Sequence, residues 1–297
     1  MDTFLADNLI SWKLYLQAAR RTKGTIRIYS QVVLMFVQWC EENEIAPALN
    51  KINVQKWLVY LLDSGLAPST TQLRQTILRG YSKWLLAERE IDTDELAGME
   101  MVRCDTKVTP ALADGQVSAM IAACKGGKPI LDRRDEALIR FMAETGARAS
   151  EVTDLKITDV NLSVQVATIT RGKGGKGRIV PFSGDCAAAL DRYIRARRKE
   201  VAKPEIGPLW VGDHGRDFGY YGLRKALLRR AVQAGISDFH PHLFRHTAAT
   251  RWLRHGGSEA GLMAVAGWST RSMIDRYTAA SASERAVEES RRLNLGF

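Results

Sequence analysis

Thr145-Gly146-Ala147-Arg148-Ala149-Ser150-Glu151-Val152 is the stretch on which the reading turns. A helical pattern over residues 132–144 runs into it, Gly146 breaks that helix, and a second helix starts near Ser150. An arginine at such a junction can aim its planar fork at a phosphate while a nearby glutamate orients it. The same residues also suit a plain surface arginine beside a helix cap, and the stretch alone does not choose.

Outward from it, the pattern predicts a mainly helical domain with one small sheet. A helix is expected over 114–124. Strands are expected over 164–170 and 178–182, joined by a glycine-rich turn. Helices follow over 186–200, 222–234, 242–255 and 272–279, and a short amphipathic one over 283–293. Upstream, residues 4–87 read as four helices. One carries the stripe Ile28, Val32, Met35, Phe36, Trp39, and another, opened by Pro68, runs through Leu73, Ile77, Tyr81 and Trp84. Aromatic stripes at this spacing are core-facing by preference. The fold class is therefore mainly α with a small β component (α+β): a helical domain over 1–87, a linker over 88–107 and a second domain over 108–297.

The net charge of +10, from 43 basic and 33 acidic groups, is unevenly spread. Residues 1–107 are balanced, and the whole excess lies beyond them. Residues 88–107 hold 3 basic and 7 acidic side chains, so two basic blocks flank an acidic segment. Basic blocks attract polyanions, nucleic acid above all, although solvated surface is the plainer alternative. Lys23, Arg27, Arg74, Arg79 and Lys83 are interleaved on the polar helix faces of the first block and are candidate phosphate contacts. The longest apolar run, residues 32–37, is far too short to cross a bilayer. The start, MDTFLADNLI, lacks a basic n-region, so no signal peptide is expected. Four scattered cysteines without a C-x-x-C pair suggest neither a zinc site nor a redox motif, and fit a reducing cytoplasm.

Three further stretches carry chemistry. Arg171-Gly172-Lys173-Gly174-Gly175-Lys176-Gly177-Arg178 sits between the two strands. Its glycines permit a tight turn or close approach to a ligand, and it is not a Walker loop because both lysines precede glycine. Lys176 and Arg178 are candidate DNA contacts there, and a flexible basic hairpin tip is the equal alternative. In His240-Pro241-His242-Leu243-Phe244-Arg245-His246-Thr247, Pro241 opens a helix that puts His242 and Arg245 one turn apart. A zinc-protease reading fails because Leu243 stands where a glutamate is needed, so no metal is expected. The last runs from Gly267-Trp268 to Asp275-Arg276-Tyr277-Thr278 and places a tyrosine near a helix end.

Taken in order, Arg148, Lys173, His242-x-x-Arg245, Trp268 and Tyr277 resemble the tyrosine recombinase (phage integrase, Xer-like) family. That family shows an arginine in a T-G-x-R-x-S-E segment, a hairpin lysine, an H-x-x-R pair, a His or Trp and a nucleophilic tyrosine. The resemblance is strong over residues 108–280. Residues 1–87 match as a helical core-binding domain of the family's size. No separate arm-binding domain fits before Phe4.

The resemblance implies an enzyme that cuts and rejoins duplex DNA without cofactor. Tyr277 would attack the phosphate and free a 5′-hydroxyl, conserving the bond energy. Arg148 and Arg245 would clamp the non-bridging oxygens, and Lys173 would protonate the leaving oxygen. His242 would act as base or phosphate donor, and Glu151 would hold Arg148. Trp268 stands where many members carry His. It offers one N–H and no transferable proton, which leaves packing and a phosphate hydrogen bond. The expected partners are double-stranded DNA, gripped in a C-shaped clamp of two domains hinged at 88–107, and three more copies of the chain in a tetrameric synapse. The segment 283–293 would reach a neighbouring copy or pack on its own domain, and a directionality or host factor would set the direction. The expected setting is the cytoplasm at the nucleoid, with the protein encoded by a phage or mobile element. A Xer-type resolvase, a type IB topoisomerase and a DNA-binding protein without catalysis are the competing readings.

Overall fold

The computed structural model describes residues 4–104, 111–170, 177–271, 273–275 and 290–291. Lys173, Lys176 and Tyr277 lie outside the described residues, as does most of the tail, of which Ser290 and Arg291 are described, both helical. The chain divides into two compact units, Met1–Lys107 and Val108–Phe297.

Among the described residues, the regular elements of the first unit are all helices: α1 (Phe4–Asp7), α2 (Leu9–Ala18), α3 (Lys23–Glu42), α4 (Lys51–Asp63) and α5 (Pro68–Ala87), one more than the four expected. Side-chain caps start two of them. Thr22 accepts from the Thr25 N–H at 3.1 Å, and Asn50 accepts from the Asn53 N–H at 2.7 Å. Each satisfies a backbone donor that the first turn leaves open. Pro68 opens α5, where its missing N–H costs nothing. The aromatic residues form the core: Trp12, Phe36, Trp57 and Tyr81 are almost wholly buried, and the Trp12 and Tyr81 rings lie 4.6 Å apart. Two members of the predicted α3 stripe, Ile28 and Met35, and Leu73 of α5 are exposed instead. The buried face is rotated from the expected stripe: Ile26, Val33, Val37 and Cys40 join Val32, Phe36 and Trp39 in it.

Residues 88–104, within the expected linker, pack on the first unit. Leu96 and Met99 are buried in the first unit's core. The Gln75 amide reaches out from α5 and grips the segment twice. It donates to Glu100 O at 2.7 Å and accepts from the Val102 N–H at 2.8 Å. Ser82 donates to Asp94 in the same way. Glu88, Glu90, Asp92, Glu95 and Glu100 are exposed along this strap, while Asp94 faces Ser82.

The second unit contains α6 (Asp114–Ala122), α7 (Pro129–Thr145), α8 (Ala149–Thr153), β1 (Val160–Asn161), β2 (Val166–Ile169), β3 (Arg178–Pro181), α9 (Gly184–Arg197), α10 (Tyr220–Gln233), α11 (His242–Arg254) and α12 (Glu259–Ala266). The strands form an antiparallel sheet in the order β1-β2-β3, with Ala167 opposite Val180. Ala167, Ile169 and Val180 point into the core, while Ile179 points out, the alternation a one-sided sheet requires. Helix α7 is the central element, packed against α6, α9 and α11. Its Asp135 is fully buried and accepts from Arg134, Arg229 and Arg230, and Arg230 continues to Asp132. A buried carboxylate survives only when paired this fully.

Two elements of the second unit escaped the sequence pattern. Strand β1 is only two residues long. Helix α12 is built of small residues with no apolar stripe. Its Gly261 faces Trp252, where a Cβ would come within 2.9 Å of the indole. Four indole N–H groups, those of Trp12, Trp39, Trp84 and Trp210, are buried without a hydrogen-bond partner.

Candidate active site

The site starts where α7 stops. Gly146 takes a left-handed conformation (φ 60°), and a Cβ there would lie 3.0 Å from that of Ala248 on α11. Glycine therefore lets the chain turn while α11 closes in. Two residues later Arg148 occupies the N-cap of α8.

Glu151, on the first turn of α8, is the hub. Its Oε1 accepts from Arg148 Nη1 (2.8 Å) and Arg178 Nη1 (3.0 Å). Its Oε2 accepts from the Arg148 backbone N–H (2.9 Å) and Arg178 Nη2 (2.7 Å). A carboxylate has about four acceptor positions, and all are used. Burial by itself would raise the Glu151 pKa. The bonds and charges of Arg178 and Arg148 outweigh it and hold the carboxyl below its ordinary value.

Arg245 rises from α11 and is 3% exposed. Its Nη1 donates to Gly146 O at 2.9 Å and its Nη2 to Ala266 O at 2.7 Å. The guanidinium carbon lies 5.0 Å from the ring centroid of Trp268, a cation–π contact that fixes the plane of both. Trp268 follows the left-handed Gly267 that ends α12 and is 8% exposed. His242 begins α11 one turn before Arg245 and is partly exposed. Partial burial, then the charges of Arg245, His240 and Arg148, lower its pKa, so its ring is neutral near pH 7. His246 sits edge-on to it, ring centroids 5.1 Å apart.

Four of the six predicted catalytic residues, Arg148, His242, Arg245 and Trp268, are thus gathered with Glu151 around the meeting point of α7, α8, α11 and α12. Arg178 needs correction. Expected on the DNA surface, it is turned inward, its side chain 9% exposed and Nε, Nη1 and Nη2 all donating. In the first unit Lys23, Arg27 and Lys83 are exposed. Arg74 and Arg79 are half-buried, against Trp57 and the Met101 sulfur respectively. Sequence reasoning also passed over α10. It exposes Tyr221, Arg224 and Lys225, and no acidic residue occurs between Asp217 and Asp238, which was the available signal.

This fold and clustering agree with the comparisons. Residues 111–284 match the phage integrase family and residues 9–89 its N-terminal SAM-like domain. The chain belongs to the phage integrase family, the tyrosine site-specific recombinases, enzymes that break and rejoin DNA strands. A relative, tyrosine recombinase XerC of Lactobacillus delbrueckii subsp. bulgaricus, is 28% identical over 269 residues, 89% of this chain and 90% of its own. Among solved structures, the Tn1549 transposon integrase in complex with transposon right end DNA superposes with a TM-score of 0.73 at 16% identity, covering 98% of each chain. A lambda integrase tetramer bound to a Holliday junction gives 0.68 at 13% identity, covering 90% of this chain and 77% of that one. At those identities the two structures speak for the fold.

Proposed function

We propose that this recombinase integrates and excises a phage or other mobile element, cutting duplex DNA through a 3′-phosphotyrosyl link at Tyr277. The observation that carries the catalytic reading is the convergence of Arg148, Arg245, His242 and Trp268 from three segments on one locus. Two guanidiniums there suit the charge that builds on the non-bridging oxygens of a five-coordinate phosphate. The Tyr277 oxygen bonds to phosphorus, the bond to the 5′-oxygen breaks, and Lys173 supplies that oxygen's proton. Neutral His242 accepts the tyrosine proton, and Trp268 holds Arg245 flat. Reversal with the 5′-hydroxyl of another strand rejoins the DNA. DNA contacts come from Lys23, Arg27, Arg74, Arg79, Lys83 and Lys176, joined by the exposed face of α10. Four copies act together on two sites, with a further factor setting direction.

A second reading, resolution of chromosome dimers, is favoured by the similarity to XerC along most of the chain. One experiment addresses both. Nicked suicide duplexes are made from DNA flanking the gene and from chromosomal dimer-resolution sites, and denaturing gels follow adduct formation by the wild type and Tyr277→Phe. Adduct on flanking DNA, absent from Tyr277→Phe, is the expected result. Adduct on the chromosomal site alone supports the resolvase. Specific binding without adduct removes the catalytic reading, and adduct from Tyr277→Phe removes the nucleophile.

A further inference from the structure

The hydrogen bonds at the site close on themselves. From Arg148 the path runs to Glu151 (2.8 Å) and to Arg178 (2.7 Å). Arg178 Nε then donates to Val265 O at 2.7 Å. The next carbonyl, Ala266 O, accepts from Arg245, and Arg245 donates again to Gly146 O, two residues before Arg148. Arg178 is the only side chain in this circuit that contacts both Glu151 and the carboxyl end of α12. Its aliphatic stem lies over Gly267, where a Cβ would come within 3.1 Å of Arg178 Cδ.

We infer that Arg178 is a positioning residue for DNA cleavage, a brace that sets Arg148 and Arg245 at a fixed separation, and not a DNA contact. The inference rests on the cleavage reading above. Without Arg178, Glu151 loses two of its four donors and half of what holds it, and Arg148 shares its freedom. The end of α12, which carries Trp268 and a carbonyl that Arg245 grips, loses its tie to α8. A lysine cannot replace it. One ammonium on a flexible stem keeps the charge opposite Glu151 but does not span the carboxylate and Val265 O together. Both phosphate-clamping arginines would still be present and charged, so binding should survive while the geometry of the attack is lost. Misplacement of about 1 Å costs on the order of 100-fold in rate.

The test uses the full chain on a nicked duplex that it binds specifically. Gel shift gives the dissociation constant, and single-turnover adduct formation gives the cleavage rate. The variants are Arg178→Ala, Arg178→Lys, Arg148→Ala and the Arg148→Ala/Arg178→Ala pair. The expected result is an Arg178→Ala protein that binds DNA as the wild type does and cleaves on the order of 100-fold more slowly. Arg178→Lys recovers little of that loss. The double variant loses less than the product of the two single losses, because part of the effect of Arg178 runs through Arg148. Wild-type cleavage by Arg178→Ala, full rescue by lysine, or losses that multiply in the double variant would each overturn the inference. Should Arg178→Ala fail to fold, Arg178→Lys decides: cleavage at the wild-type rate overturns the brace, and a slowed rate with DNA binding intact supports it. A wild type that binds specifically and forms no adduct brings down the cleavage reading itself. A wild type that cleaves while the Arg178 variants are indifferent brings down the brace alone.

Discussion

His242 sits among cations before any DNA arrives. Its lowered pKa means that the folded chain holds fewer protons than the unfolded chain at pH values around and just below 6.5. Stability from this residue is therefore full above that range and is lost as pH falls through it. A bound phosphate reverses the local field and favours the imidazolium. The His242 resonance, assigned by its absence in His242→Gln and followed by NMR, should titrate below 6.5 in the free protein and move upward with a bound duplex. A midpoint above 6.5 without DNA would contradict the arrangement. The residue scale is also where the sequence was most readable, since the order Arg148, His242, Arg245, Trp268 survives as a cluster. Arg178 was misjudged for a physical reason. A basic side chain beside a glycine-rich basic turn has the composition of a DNA contact, and only the fold shows that a buried carboxylate claims it.

Elements were read unevenly. Long helices with strong stripes, α3 and α5 among them, were recognisable. The weak ones were not. Helix α12 is held by its Ser258 cap and by close packing of Gly261 on Trp252, neither of which produces a periodic pattern. The strap over residues 88–104 misled in the other direction. Seven acidic side chains in 88–107 look like a solvated tether, yet Leu96 and Met99 sit in the core, Ile91 and Val102 pack against it, and Gln72, Gln75 and Ser82 bond to the segment. Leu96 is 0% exposed. In the full chain, Leu96→Ala should destabilise the first unit by about 2–5 kcal/mol, the usual cost of a leucine-sized cavity. Urea unfolding followed by hydrogen exchange in α5 measures it. An unchanged midpoint would mean that the strap is a tether after all.

At the scale of the whole molecule, charge and architecture coincide. The division between units falls at Lys107/Val108, where the balanced part of the sequence ends and the basic excess begins. Phosphate contacts spread over both units would make DNA affinity strongly dependent on salt. For roughly six to ten contacts, binding should weaken by about 10³–10⁵-fold between 50 and 200 mM salt. Charge removal at Lys23 and Arg27 should make the logarithmic slope shallower. Fluorescence anisotropy across a salt series reads both, and a slope unaffected by the two substitutions would take the first unit off the DNA. Composition could give the sign of the partner's charge. It could not say which basic groups face outward, because that is settled by packing between elements far apart in sequence.

The buried indoles give the chain a built-in optical report. An indole N–H with no hydrogen-bond partner in an apolar setting emits at shorter wavelength than one in water. Trp12, Trp39 and Trp84 share that condition in the first unit and Trp210 has it in the second. Trp268 has its ring against the Arg245 guanidinium in the candidate active site. Blue emission should therefore be dominated by the first unit, and its red shift on heating would time the loss of that unit's core. With Trp268→Phe as the blank, the small remainder becomes a lamp at the active site whose colour and brightness follow the arrival of a phosphate, with no label attached to protein or DNA.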